Sequence, residues 1–143
     1  MKSKAIKLLH VEELGYLSSC IREAYEYMEA NNDMFIKHIG VSCEYSTNLC
    51  NEVNEELVNR PNYLDDSEPW VANPSLSDMS NDAISLLTTK ELLCFSNCIA
   101  ATLEYLDNED QFNTRVGGPT KFARIFKSAL DLELSNRSND HED

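Results

Sequence analysis

The sequence predicts an all-α fold, a single-domain helical bundle of four to six helices with a long proline-rich acidic loop between two of them. Three observations carry that expectation. The longest apolar run, Thr88 to Asn108, has both helical periodicity and a helix start signal. Other stretches also space their apolar residues by three or four, the period of one helix face. No stretch alternates apolar and polar residues as a half-buried strand does. At 143 residues and 42% apolar content, the chain is long enough to bury a core within one domain.

Residues 10–31 read as the first helix, because Val11, Leu14, Leu17, Ile21, Tyr25 and Met28 fall on one face. Glu12, Glu23, Glu26 and Glu29 lie mainly off that stripe. Gly15 costs about 1 kcal/mol relative to alanine inside a helix, so it marks close packing or a late start. Asn31-Asn32-Asp33 supplies a stop and a new N-cap. Residues 34–59 form a second helical region, interrupted around Gly40 and resumed by Leu49, Cys50, Val53 and Leu57. One bent helix or two shorter ones fit this pattern.

Residues 60–79 hold three of the four prolines and the only tryptophan. Pro61, Pro69 and Pro74 exclude a regular helix. A connection this long without secondary structure is uncommon in a compact domain and is usually functional or disordered. Tyr63, Leu64, Trp70 and Val71 argue against plain disorder. Asn81 to Leu87 reads as a short helical lead-in.

Thr88 and Glu91 then form a capping-box pattern. Leu92, Phe95, Ile99, Leu103 and Leu106 make the main stripe of the core helix, and Cys94, Cys98, Ala100 and Ala101 broaden it. Glu104, Asp107, Glu109 and Asp110 close this stretch with acids, which oppose the macrodipole at a helix C-terminus by a few tenths of a kcal/mol each. Gly117-Gly118-Pro119 breaks the chain. From Thr120 a last helix follows, with Phe122, Ile125, Phe126, Ala129, Leu130 and Leu134 inward and Lys121, Arg124 and Lys127 outward. The expected organisation is one helical domain over residues 1–134 and a disordered polar tail over 135–143.

The net charge is −13. Such a surface repels nucleic acid and anionic membranes and suits a basic protein partner. Met1–Lys7 is not followed by an apolar signal region, and five cysteines without a dense array read as reduced thiols. Cytoplasmic localisation is the expectation.

Motifs for chemistry are sparse. Cys94 and Cys98 are four residues apart on the core helix, but no paired Cys/His knuckle accompanies them, so they read as core. The histidines (His10, His38 and His141) form no metal-binding helix motif. With four glycines, no phosphate-cradling loop exists. The most enzyme-like feature is a pair of acidic helical motifs, Glu52-x-x-Glu55-Glu56 and Glu104-x-x-Asp107. Carboxylates three residues apart share a helix face and can hold Mg²⁺ when two such helices meet. In this the chain resembles the all-α nucleotide pyrophosphohydrolases, which place E-x-x-E and E-x-x-D on neighbouring helices. The proline-rich insertion between the motifs here is longer than that family's.

No catalytic residue and no cofactor are expected. The expected function is that of a small acidic interaction module, in concrete form an inhibitor or immunity-type protein that binds a basic surface of a nucleic-acid-handling enzyme or toxin. Its contact residues are expected to be Asp65, Asp66, Glu68 and Trp70 in the loop, with Glu104, Asp107, Glu109 and Asp110 after the core helix. Trp70 either pins the loop to the bundle or anchors the interface. A Mg²⁺-dependent pyrophosphohydrolase-like enzyme using Glu52, Glu55, Glu56, Glu104 and Asp107 is the first alternative. A homo-oligomeric structural component, with Lys121, Arg124 and Lys127 against an acidic face of another copy, is the second.

Overall fold

A computed structural model of the chain describes residues 4–60 and 73–140. Among them are eight α-helices and no strand: α1 (Lys4–Leu8), α2 (Val11–Tyr27), α3 (Asn32–Ile39), α4 (Cys43–Asn59), α5 (Asn81–Leu86), α6 (Thr89–Tyr105), α7 (Glu109–Val116) and α8 (Thr120–Asp140). A 3-10 turn, Leu76–Asp78, precedes α5. The helices form one bundle, with α2 and α6 at its centre. α2 packs on α6, α4 and α7, and α6 packs on α2, α8 and α3. Among the described residues no helix is long and apolar enough to cross a membrane.

The count exceeds four to six because the region 34–59 is divided and two short helices, α1 and α7, add to those expected. α2 ends at Tyr27 because Glu29 and Ala30 take left-handed backbone (φ 54° and 58°), which turns the chain before Asn31. The Asn31 side chain then accepts from the Met34 amide at 3.0 Å and caps α3. Gly40, at φ 95°, ends α3, and Ser42 caps α4. The region 34–59 is therefore two helices. The capping box at the start of α6 is complete. Thr88 Oγ1 accepts from the Glu91 amide at 3.0 Å, and Glu91 Oε1 accepts from the Thr88 amide at 2.8 Å.

The core is apolar and aromatic. Phe35, Phe95, Phe112, Phe122 and Phe126 are fully buried. Cys20, Cys94 and Cys98 are buried too, and all five cysteines are free thiols. Burial pushes the Cys20 thiol up to about 12, so it packs as a small hydrophobe. Thr102 Oγ1 lies 3.1 Å from the Cys20 carbonyl oxygen and 2.8 Å from that of Cys98. This satisfies a buried hydroxyl and joins α6 to α2.

Tyr16 holds the last two helices. Its ring lies 4.5 Å from that of Phe122 and 6.4 Å from that of Phe112, and its hydroxyl donates to the Pro119 carbonyl at 3.0 Å. Gly117, at φ 98°, closes α7, and Gly118 makes room for the Tyr16 hydroxyl. The helix α8 continues past residue 134, where the polar tail was expected to begin. Arg137 donates to Glu133 at 2.9 Å, to Thr89 Oγ1 at 3.2 Å and to the Ser85 carbonyl at 3.0 Å. Those contacts hold this turn of α8 to the α5–α6 junction.

One substitution at two glycines checks this packing with opposite signs. A Cβ at Gly15 meets nothing within 4 Å, so Gly15→Ala raises stability by about 0.5–1 kcal/mol through helix propensity. At Gly118 a Cβ would sit 2.0 Å from the Tyr16 hydroxyl oxygen, so Gly118→Ala lowers stability by about 1–3 kcal/mol. Part of that loss disappears in a Tyr16→Phe background, which lacks the clashing oxygen. Urea melts of the four variants measure this, and an equal Gly118→Ala loss in both backgrounds contradicts the proposed contact.

Candidate functional site

The acid that closes Thr88–Asn108 in the sequence is divided between two helices. α6 stops at Tyr105, and Leu106 is its last capping residue. Asn108 then caps α7, its side chain accepting from the Asp110 and Gln111 amides at 2.8 and 3.2 Å. Glu109 and Asp110 therefore lie in the first turn of α7, where negative charge is favoured by the macrodipole rather than opposed. Only Glu104 belongs to the C-terminal turn of α6, with Asp107 exposed just beyond it.

Glu109 has an internal role. Its carboxylate accepts from the Thr120 hydroxyl at 2.6 Å, the Thr120 amide at 3.0 Å and the Asn113 side chain at 2.7 Å. It thus caps the start of α8 across the Gly117–Pro119 turn. Those hydrogen bonds, that of the Thr120 hydroxyl first, hold its carboxyl below the usual range. Other acids are used in the same way. Glu23, buried on α2, receives a forked pair from Arg115 of α7 at 2.6 and 3.2 Å, and Arg115 also reaches Glu26 at 3.1 Å.

The loop residues Asp65, Asp66, Glu68 and Trp70 lie outside the described residues. The two acidic motifs do not converge. Glu56 is held by Arg60 at 2.7 Å, and Glu55 is exposed on α4. Glu52 lines a wide hollow with Tyr45, Asn48 and Glu91, near the start of α6. Glu104 is thirteen residues further along that helix, a rise of about 20 Å. Among the described residues no group of three or more His, Cys, Asp or Glu side chains is placed to hold a metal ion.

What gathers around Glu104 instead is a groove of about 220 Å³. The C-terminal ends of α2 and α6 lie together, and α3 borders them. Tyr27 and Met28 come from α2 and the residue after it, Met34 and His38 from α3, and Asn97, Ala101 and Glu104 from α6. Asn97 is positioned by donating to the Ile39 carbonyl at 2.8 Å. Tyr27 stacks on Tyr105 with ring centroids 4.5 Å apart and an angle of 26°. Both rings stay substantially in water, at 44% and 40% exposure, as does Met34 at 43%.

Of the residues expected to form the contact face, Glu104 is in this groove and Asp107 follows Tyr105 in the chain. Tyr27, Tyr105, Met34, His38 and Asn97 were not singled out from the sequence. Their one signal is placement, since Tyr27 and Tyr105 are aromatic residues off the apolar stripe at the last positions of two helices. No family model, curated protein or solved structure matches the chain.

The capping role of Glu109 has a pH signature. Because its folded-state pKa is lowered, its contribution is present above the ordinary carboxylate value of about 4.3. It is lost as the pH falls through the lower folded value. Glu109→Gln therefore lowers Tm at neutral pH, and the gap from wild type narrows as the pH falls below about 4. Thermal melts across that range measure it, and a gap independent of pH contradicts the capping role.

Proposed function

We propose that the protein is a small interaction module that binds a basic protein surface through the face where α2, α3 and α6 meet. The observation that carries this reading is the exposed Tyr27–Tyr105 stack beside the groove that contains Glu104. Tyrosine and methionine are enriched at the centres of protein interfaces. A tyrosine pair already stacked in the free protein presents a large contact area with little ordering left to do. Glu104 and Asp107 supply negative charge at its edge, and the overall charge of −13 speeds encounter with a basic partner. An inhibitor or immunity-type protein seated on the basic groove of a nucleic-acid-handling enzyme or toxin is the concrete form of such a module. Blocking by a patch fits better than mimicry of a duplex, which carries one charge per roughly 1.7 Å of axis.

Affinity capture from the native host, with wild type and variants compared, tests this. A basic protein is expected whose association slows as salt rises. Its binding should weaken at least tenfold with Glu104→Lys or Tyr105→Ala and persist with Asp82→Lys, on the exposed side of α5. A partner indifferent to the first two substitutions but lost on reversal of Asp65, Asp66 and Glu68 to lysine overturns this face in favour of the proline-rich segment.

A further inference from the structure

The groove itself is specific about what can enter it. At about 220 Å³ it is smaller than the roughly 300–1,000 Å³ of sites for drug-sized ligands and cofactors. It matches a protruding side chain instead. Its walls are of two kinds. Met28, Met34 and Ala101 are apolar and suit a methylene stem, whereas Glu104, Asn97 and the Tyr27 ring suit a polar, positively charged head. Among the described residues no lysine or arginine lines it, and its one basic side chain is His38. Arg115 of the neighbouring α7 is already held by Glu23 and Glu26.

We infer that this groove receives an arginine side chain carried by the basic partner, with the guanidinium on the Tyr27 ring and paired with Glu104. The inference rests on the proposed reading of this face as the interface. Arginine suits the groove better than lysine for two reasons. Its planar head stacks on an aromatic ring, and its fork meets a carboxylate through two parallel N–H donors. Lysine offers a compact, strongly hydrated point charge. The chain shows the related contact internally, where the Lys90 ammonium lies 4.4 Å from the centre of the Tyr45 ring.

The test is an amide-resolved NMR titration of the full chain with N-acetylarginine amide, N-acetyllysine amide and the uncharged isostere N-acetylcitrulline amide. Arginine amide is expected to move the signals of Tyr27, His38, Asn97 and Glu104 saturably, with a Kd of order 1 mM, typical of an isolated weak contact. Lysine amide should bind several-fold more weakly and citrulline amide not measurably. Glu104→Gln, an exposed substitution whose fold is checked by circular dichroism, should weaken arginine amide about tenfold.

Equal binding of citrulline or lysine amide, or indifference to Glu104→Gln, overturns the inference. Shifts confined to another part of the chain overturn it as well. The two readings fail separately. If arginine amide does not bind the groove while Tyr105→Ala still releases the captured partner, the occupant is wrong and the interface stands. If the partner ignores both Tyr105→Ala and Glu104→Lys, the interface falls and the occupant with it.

Discussion

Glu13 is fully buried, and its two carboxylate oxygens accept from the His10 amide at 2.7 Å, the Ser80 amide at 2.9 Å and the Ser80 hydroxyl at 2.6 Å. One side chain thereby caps α2 and ties its start to the residue that opens α5. Desolvating a carboxylate costs several kcal/mol. Three charge-assisted hydrogen bonds, each stronger than a neutral one, offset that cost. The geometric consequence is larger than the local one. His10 and Ser80 lie 70 residues apart in the sequence, and the shared carboxylate sets where α5 begins relative to α2. α2 and α6 are each 17 residues long and pack on each other, and their last residues, Tyr27 and Tyr105, meet.

The same device recurs through the bundle and changes the meaning of the net charge. Glu91 caps α6, Glu109 caps α8, and Asp78 accepts from the Ser75 amide and hydroxyl at the 3-10 turn. Glu23 neutralises Arg115, and Asp131 accepts from Ser96 and from Lys127. An acid in any of these places stabilises a helix end or a helix pair. The overall charge of −13 therefore overstates how much of the surface is a continuous acidic face. The exposed acids at and beyond the end of α6, Glu104, Asp107 and Asp110, form a smaller patch than the sequence suggests.

How far each of these roles could be read in advance follows from the separation between partners. The Thr88–Glu91 box was legible because both groups lie within one turn, and so was the Asn31 cap. The apolar stripes of α2, α6 and α8 were legible because burial imposes a period on them. The links of Glu13 to Ser80, Glu23 to Arg115 and Glu109 to Thr120 were not, since these partners lie 67, 92 and 11 residues away. Off the stripe, each of these glutamates looks like any solvated acid. Helix α7 is a different case, for its signals are local. Asn108 caps it, two acids follow, Phe112 and Val116 are four apart, and Gly117 stops it. The unbroken run of acid across the α6–α7 boundary hid them by suggesting one helix end instead of an end and a beginning.

The groove illustrates the remaining limit of sequence reading. Periodicity identifies the face a helix buries, and a binding site is made of what the same helix leaves out. Tyr25, on the stripe of α2, is 37% exposed, while Tyr16, off it, is 5% exposed and helps hold α7 and α8. Which tyrosine packs and which stays in water is decided by the neighbours that arrive from elsewhere in the chain. Tyr27 and Tyr105 stand where α2 and α6 both end. The left-handed turn at Glu29 and Ala30 then swings α3 alongside, so that Met34 and His38 face the same opening. The site is thus a product of helix termination, and the residues that end helices, more than those that fill the core, set its shape.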